Sequence, residues 1–218
     1  MTKTQMTGTI AKPITMAKTA SGPVEFRLTG TGPTVVVLNG GHCSRKSRFS
    51  HEDLTTDGFS VLTPSRPGYD STPLTAGKTP QAAADMLAHL LDALEISTID
   101  LIGISAAGPT ALAFAKQHPH RLRKLVLESA ITLPWDEALK WRSHLLFGRF
   151  EKMTWMLARL ALKIAPTLTV QTILEELTTL DVKTVVQRLS SEDFRFVCQM
   201  IQTAQSGAGF INDIEHRI

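Results

Sequence analysis

A serine set among small residues is the first group in this sequence able to do covalent chemistry. Gly103-Ile104-Ser105-Ala106-Ala107-Gly108 follows an apolar run ending at Ile102 and leads into a helical pattern. A serine on a tight strand-to-helix turn presents its hydroxyl at the carboxyl edge of a sheet. The crowding of such a turn demands small side chains two residues before and two after it. Here they are Gly103 and Ala107. The helix starting beside Ser105 offers unpaired backbone N–H groups and the positive end of its dipole, a setting that suits a developing oxyanion. Without context, the same hexapeptide reads equally well as a helix-capping serine in a small-residue turn.

The elements that must position Ser105 are legible around it. Val24-Glu-Phe-Arg-Leu28 alternates as a strand with one wet face does. Val35-Val-Val-Leu38, Phe59–Thr63, Ile99–Ile102 and Leu125–Leu127 are short apolar runs of the kind buried in a parallel sheet. Between them, Thr79 caps a helix that Pro80 opens, with Met86, Leu87, Leu90, Leu91 and Leu94 on one face. A second helix is predicted from about Ala106 to Gln117, stopped by His118-Pro119. Alternating strand and helix at this pitch means an α/β fold, a mostly parallel sheet covered on both faces.

From Pro134 onward the pattern becomes helical. Trp135, Trp141, Leu145, Phe147, Trp155, Leu157, Leu160 and Ile164 recur at helical spacing with no strand-like run among them. An insertion of this length is too long for a plain loop, and its Trp and Met residues read as core rather than as a ligand cage. The expected division is a core over residues 1–131, a helical cap over 132–206, and a return toward the core over 207–218.

Composition narrows the function classes. The chain has 218 residues, 23 Lys+Arg against 20 Asp+Glu, and a formal charge of +3, too small a surplus to announce nucleic acid. Its two cysteines, Cys43 and Cys198, lie far apart and form neither a disulfide framework nor a zinc ribbon. No secretory signal and no membrane-spanning run is visible, so a cytoplasmic setting is expected, with no membrane partner. The basic run Ser44-Arg45-Lys46-Ser47-Arg48 reads either as an attractor for an anionic substrate or as a solvated helix start. No dinucleotide fingerprint, phosphate loop or metal-ligand spacing appears, so no cofactor and no metal are expected.

Taken in order, these segments resemble the α/β-hydrolase fold family. The Ser105 turn resembles its nucleophile elbow. Val35-Val-Val-Leu-Asn39-Gly40-Gly41-His42 resembles its strand and oxyanion loop, with Asn39-Gly40 in place of the usual His-Gly. Pro64-Ser-Arg66-Pro-Gly68-Tyr-Asp70-Ser-Thr72 is similar to its Arg-x-Gly turn, and Leu125-Val-Leu-Glu128-Ser-Ala130 to its strand before the cap. The resemblance implies Ser105 as nucleophile and the backbone N–H groups of Gly41 and Ala106 as oxyanion donors. Gly40 and His42 compete with Gly41 for that alignment. It also implies a histidine and an acid late in the chain, beyond the point where this sequence stops. The expectation is therefore of a chain truncated at its C-terminus, with the last strands absent.

Glu128 closes a buried strand where some family members carry their acid, and is a candidate acid or else a hydrogen-bonding residue at the cap hinge. His42 and Trp135 are the expected substrate contacts, and His42 is a minor candidate for the base. The function so implied is acyl transfer on an ester, thioester or amide of a small molecule. The alternatives are a non-catalytic protein holding a small apolar ligand under the cap, or an inactive fragment. An exposed sheet edge at Leu125–Leu127 would also favour self-association.

Overall fold

The computed structural model describes residues 15–43 and 47–216. Its sheet has six strands: β1 (Thr15–Thr19), β2 (Gly22–Gly30), β3 (Thr34–Leu38), β4 (Ser60–Pro64), β5 (Ile99–Ile104) and β6 (Leu122–Glu128). Their order is β1-β2-β4-β3-β5-β6. β1 and β2 run antiparallel, and β3 to β6 are parallel. The unbroken apolar sequence of β3 follows from its central place, since all five of its residues are buried.

Each face of the sheet has its own core. Val36, Leu38, Leu62 and Leu101 pack on α1 (Pro80–Ala93) and α2 (Gly108–Gln117) through Met86, Leu87, Leu90, Leu91 and Phe114. Full burial of each such side chain is worth about 1.5–3 kcal/mol. On the other face Val35, Val37, Val61 and Ile102 lie under Leu54 of a short 3-10 segment, Ser50–Thr55. α1 begins as its sequence requires: the Thr79 hydroxyl accepts from the Ala82 N–H at 3.1 Å, with Pro80 in the first turn. The helix expected from Ala106 instead opens with a 3-10 turn, Ser105–Ala107, and becomes α-helical at Gly108.

The segment after β6 folds into α3 (Glu137–Ser143), a π-helical stretch (His144–Arg149), α4 (Glu151–Ile164), α5 (Pro166–Glu175), α6 (Val182–Arg188) and α7 (Ser191–Thr203). Leu162, Val170 and Ile201 centre its own small core. The apolar stripe of α4 is only partly inside. Ala158 and Leu162 face that core, whereas Leu157, Leu160 and Ile164 face outward. Trp141, expected as core, is 71% exposed, and Leu145 is exposed as well. Met153, Met156, Leu157, Leu160 and Ile164 form one apolar face of α4, and that face looks outward, so periodicity finds the stripe without saying what covers it.

α8 (Gly207–Ile214) then packs against the turn after β4, through Phe210 and Ile214 on Tyr69. Among the described residues β6 is one edge of the sheet, with Val126 46% and Leu127 38% exposed.

Candidate active site

Ser105 leaves β5 with φ +49°, in the left-handed region that a sharp strand-to-helix turn imposes. The small residues around it are required by contact. A Cβ on Gly103 would stand 2.6 Å from the Ala111 Cβ, and one on Gly108 would stand 2.5 Å from the Ile131 carbonyl oxygen. The Ile131 N–H donates to the Ser105 carbonyl at 2.9 Å, tying the elbow to the segment after β6.

The glycine loop after β3 lies directly against this elbow. A Cβ on Gly40 would be 3.1 Å from the Ser105 Cβ and 3.7 Å from its hydroxyl oxygen. One on Gly41 would be 3.6 Å from the Ala106 Cβ and 2.8 Å from the Phe210 ring. The approach of Gly41 to Phe210 leaves no room for a Cβ and that of Gly40 to Ser105 leaves little, so Ser105, Gly40, Gly41 and Ala106 form one cluster at the carboxyl ends of β3 and β5. Backbone N–H groups stabilise a tetrahedral oxyanion where they face the position that it takes.

His42 sits in the same loop but is caged. Its Nδ1 shares a 2.7 Å hydrogen bond with the Ser206 hydroxyl, which also accepts from Trp155 Nε1 at 2.9 Å. Its ring lies 3.8 Å from Phe210, 4.3 Å from Phe147 and 5.2 Å from Trp155, centroid to centroid. Burial among these rings pushes its pKa down to about 3. A neutral, hydrogen-bonded imidazole in an aromatic cage is a structural pivot between loop and cap. Trp135 joins this group edge-on to Phe210 at 6.3 Å. Burial likewise pushes the neighbouring Cys43 thiol up to about 11.

Glu128 stands in register with Ile104, one residue before the elbow, so the two side chains share a face of the sheet. Its carboxylate is bonded to His51 Nε2 at 2.8 Å, an imidazole that no sequence pattern singles out. The other ring nitrogen of His51 is buried without a partner. Two further imidazoles are engaged elsewhere: His89 Nδ1 with Ser21 at 2.8 Å and His144 Nε2 with Glu215 at 2.7 Å. In the basic run, Ser44, Arg45 and Lys46 lie outside the described residues. Arg48 pairs with Glu52 at 2.6 Å.

Behind the loop is a buried polar group that spacing could not reveal. Arg66 and Asp213 are each 5% exposed and form a two-pronged ion pair, with the Tyr69 hydroxyl donating to the same carboxylate at 2.6 Å. Burial opposes the charge of Arg66, but Asp213 outweighs it and holds the guanidinium pKa above its usual value. Among the described residues no group of three or more His, Cys, Asp or Glu side chains is placed to hold a metal.

Residues 33–193 match the profile of the alpha/beta hydrolase fold. The chain belongs to the α/β-hydrolase fold family. Over 197 residues it is 32% identical to the uncharacterised hydrolase YcgS of Bacillus subtilis, a match covering 88% of this chain and 69% of YcgS. A shorter stretch of 50 residues is 48% identical to the 2-hydroxy-6-oxo-2,4-heptadienoate hydrolase of Pseudomonas putida, covering 23% of this chain and 18% of that enzyme. Among solved α/β-hydrolase structures, a fold-family protein from Nakamurella multipartita superposes with a TM-score of 0.79 at 26% identity, over 93% of this chain and 73% of its own. An esterase from Thermogutta terrifontis shares the fold, with a TM-score of 0.64 at 23% identity over 94% of this chain and 73% of its own.

Proposed function

We propose that the protein is a serine hydrolase that works by acyl transfer, with Ser105 as nucleophile and the backbone N–H groups of Gly41 and Ala106 as oxyanion donors. The observation that carries this reading is the contact between the glycine loop and the elbow, 3.1 Å from a Gly40 Cβ position to the Ser105 Cβ. In the proposed step the Ser105 oxygen attacks the carbonyl carbon of an ester, thioester or amide of a small molecule. The carbonyl electron pair moves to an oxygen held by the two N–H groups. A histidine takes the hydroxyl proton and returns it to the leaving group as the oxyanion collapses and breaks the bond to that group; water then attacks the acyl-serine by the same route, freeing the acid and Ser105. Among the described residues no histidine is hydrogen-bonded to the Ser105 hydroxyl; His42, His51, His89 and His144 are bonded to Ser206, Glu128, Ser21 and Glu215 instead. Family membership supports hydrolysis, and the P. putida relative's name supports a small organic acid as substrate.

A fluorophosphonate probe tests this reading, because it phosphonylates an activated serine through an oxyanion-like adduct. Oxyanion donors alone retain about 10³–10⁴-fold of catalysis over water when the triad is incomplete. We therefore expect slow labelling that maps to Ser105 and disappears in Ser105→Ala. Absence of labelling, or labelling that survives Ser105→Ala, would overturn the reading. It would favour the second one, a protein that holds a small apolar ligand beneath the cap.

The sheet edge at β6 supports a further proposal, self-association. Two of its large apolar side chains stand open to solvent, and an unpaired edge is a template for a second chain. Among the described residues no helix is long and apolar enough to cross a membrane.

A further inference from the structure

The oxyanion loop is gripped from behind by one buried cation. Arg66 donates from Nε to the Asn39 carbonyl at 2.7 Å and from Nη2 to the Gly40 carbonyl at 3.1 Å. Its terminal nitrogens also donate to Asp213 in α8, Nη1 to Oδ1 at 2.8 Å and Nη2 to Oδ2 at 2.7 Å. The Gly40 carbonyl and the Gly41 N–H belong to one planar trans peptide, so they point in opposite directions. Fixing the carbonyl on Arg66 therefore fixes where the N–H points. A hydrogen bond to the carbonyl also polarises the amide and strengthens its N–H as a donor.

We propose that Arg66 and Asp213 are positioning residues for the oxyanion donor. The guanidinium sets the plane of the Gly40–Gly41 peptide so that its N–H is turned toward Ser105, and Asp213, from beyond the cap, holds the guanidinium in place. This rests on the acyl-transfer reading of Ser105 only for its effect on rate; the restraint on the loop stands without it. Lysine would keep the charge but lose the fork that spans two carbonyls and a carboxylate.

The test follows fluorophosphonate labelling of the full chain against probe concentration, separating the limiting rate from the half-saturating concentration. Asp213→Asn is expected to lower the limiting rate about tenfold, because small misplacements of a reacting geometry cost one to two orders of magnitude. The half-saturating concentration should stay within about twofold. In an Arg66→Gln background, which is itself slowed, Asp213→Asn should change nothing further, since it acts through the arginine. An unaltered rate, a loss lying wholly in the half-saturating concentration, or an undiminished effect in the Arg66→Gln background would each overturn the proposal. Tyr69→Phe, which removes one hydrogen bond from the carboxylate and leaves the ion pair, covers the case in which Asp213→Asn does not fold. A drop of about threefold is expected for it, and no drop overturns the proposal.

Amide hydrogen exchange over residues 39–43 gives a readout independent of activity. It should quicken in Asp213→Asn, or in Tyr69→Phe where the first variant is unfolded, and an unchanged rate would sink the inference. If the wild-type chain does not label at all, the acyl-transfer reading fails while exchange still decides this one.

Discussion

Ser105 is held in the left-handed region by its surroundings, at a cost of about 1–2 kcal/mol for an L residue. Glycine carries no such cost. Ser105→Gly should therefore unfold at higher denaturant than Ser105→Ala, with a difference of about 1 kcal/mol in urea titrations, although neither labels. His42 makes stability depend on pH. Its pKa is about 3 when folded, against about 6.5 for the free side chain, because burial among rings disfavours the cation. Below about pH 6.5 the unfolded chain binds a proton that the folded chain refuses. Stability is thus full above that pH and falls as pH drops toward about 3, by up to about 1.4 kcal/mol per pH unit. His42→Asn, which tolerates the φ of +60° found at His42, should remove that one-proton slope from a series of melts at different pH; a slope equal to wild type would refute the assignment. Ser105 and its small neighbours were legible because their requirement is local. Asp213 and Ser206 were not, since their partners lie 147 and 164 residues away and leave no pattern of spacing.

At the scale of elements, the buried strands announced themselves through unbroken apolar runs, as in Val35–Leu38. β1 did not, because Thr15–Thr19 is an edge strand with little burial and so little alternation. α8 was also unreadable as a helix. Gly207-Ala-Gly209 argues for a turn by intrinsic propensity, and what makes it helical is tertiary. Glu151 accepts from the Ser206 and Gly207 N–H groups at 2.8 and 2.9 Å, capping the helix from α4. The missing Cβ at Gly209 lets the helix lie on Tyr69, where an added Cβ would be 2.3 Å from the ring. Gly209→Ala should accordingly destabilise the chain by about 1–3 kcal/mol despite its better helix propensity. A rise in melting temperature would show that α8 is not seated as described. The outward stripe of α4 was misread for the complementary reason: amphipathic spacing says that a face is apolar, not that something covers it.

At the scale of the whole molecule, the sheet is well covered at β3 and bare at β6. Val126 and Leu127 leave apolar surface on both faces of that edge. Sedimentation of the chain at micromolar concentration should show species larger than a monomer. Val126→Lys, which places a charge on the edge, should return it toward monomer. Leu160→Lys on the outer face of α4 should not; the opposite pattern would move the interface to the cap. His42 has a consequence for modularity. Its carbonyl accepts from the Gln205 N–H at 2.8 Å and its ring holds Ser206, so the last residues of the inserted lobe are also fastened to the loop against Ser105. A lobe transplanted from a relative and spliced after Ser206 would bring in a foreign lock for His42. The natural seam for a graft therefore falls before Gln205, and a chimera joined there keeps its own latch.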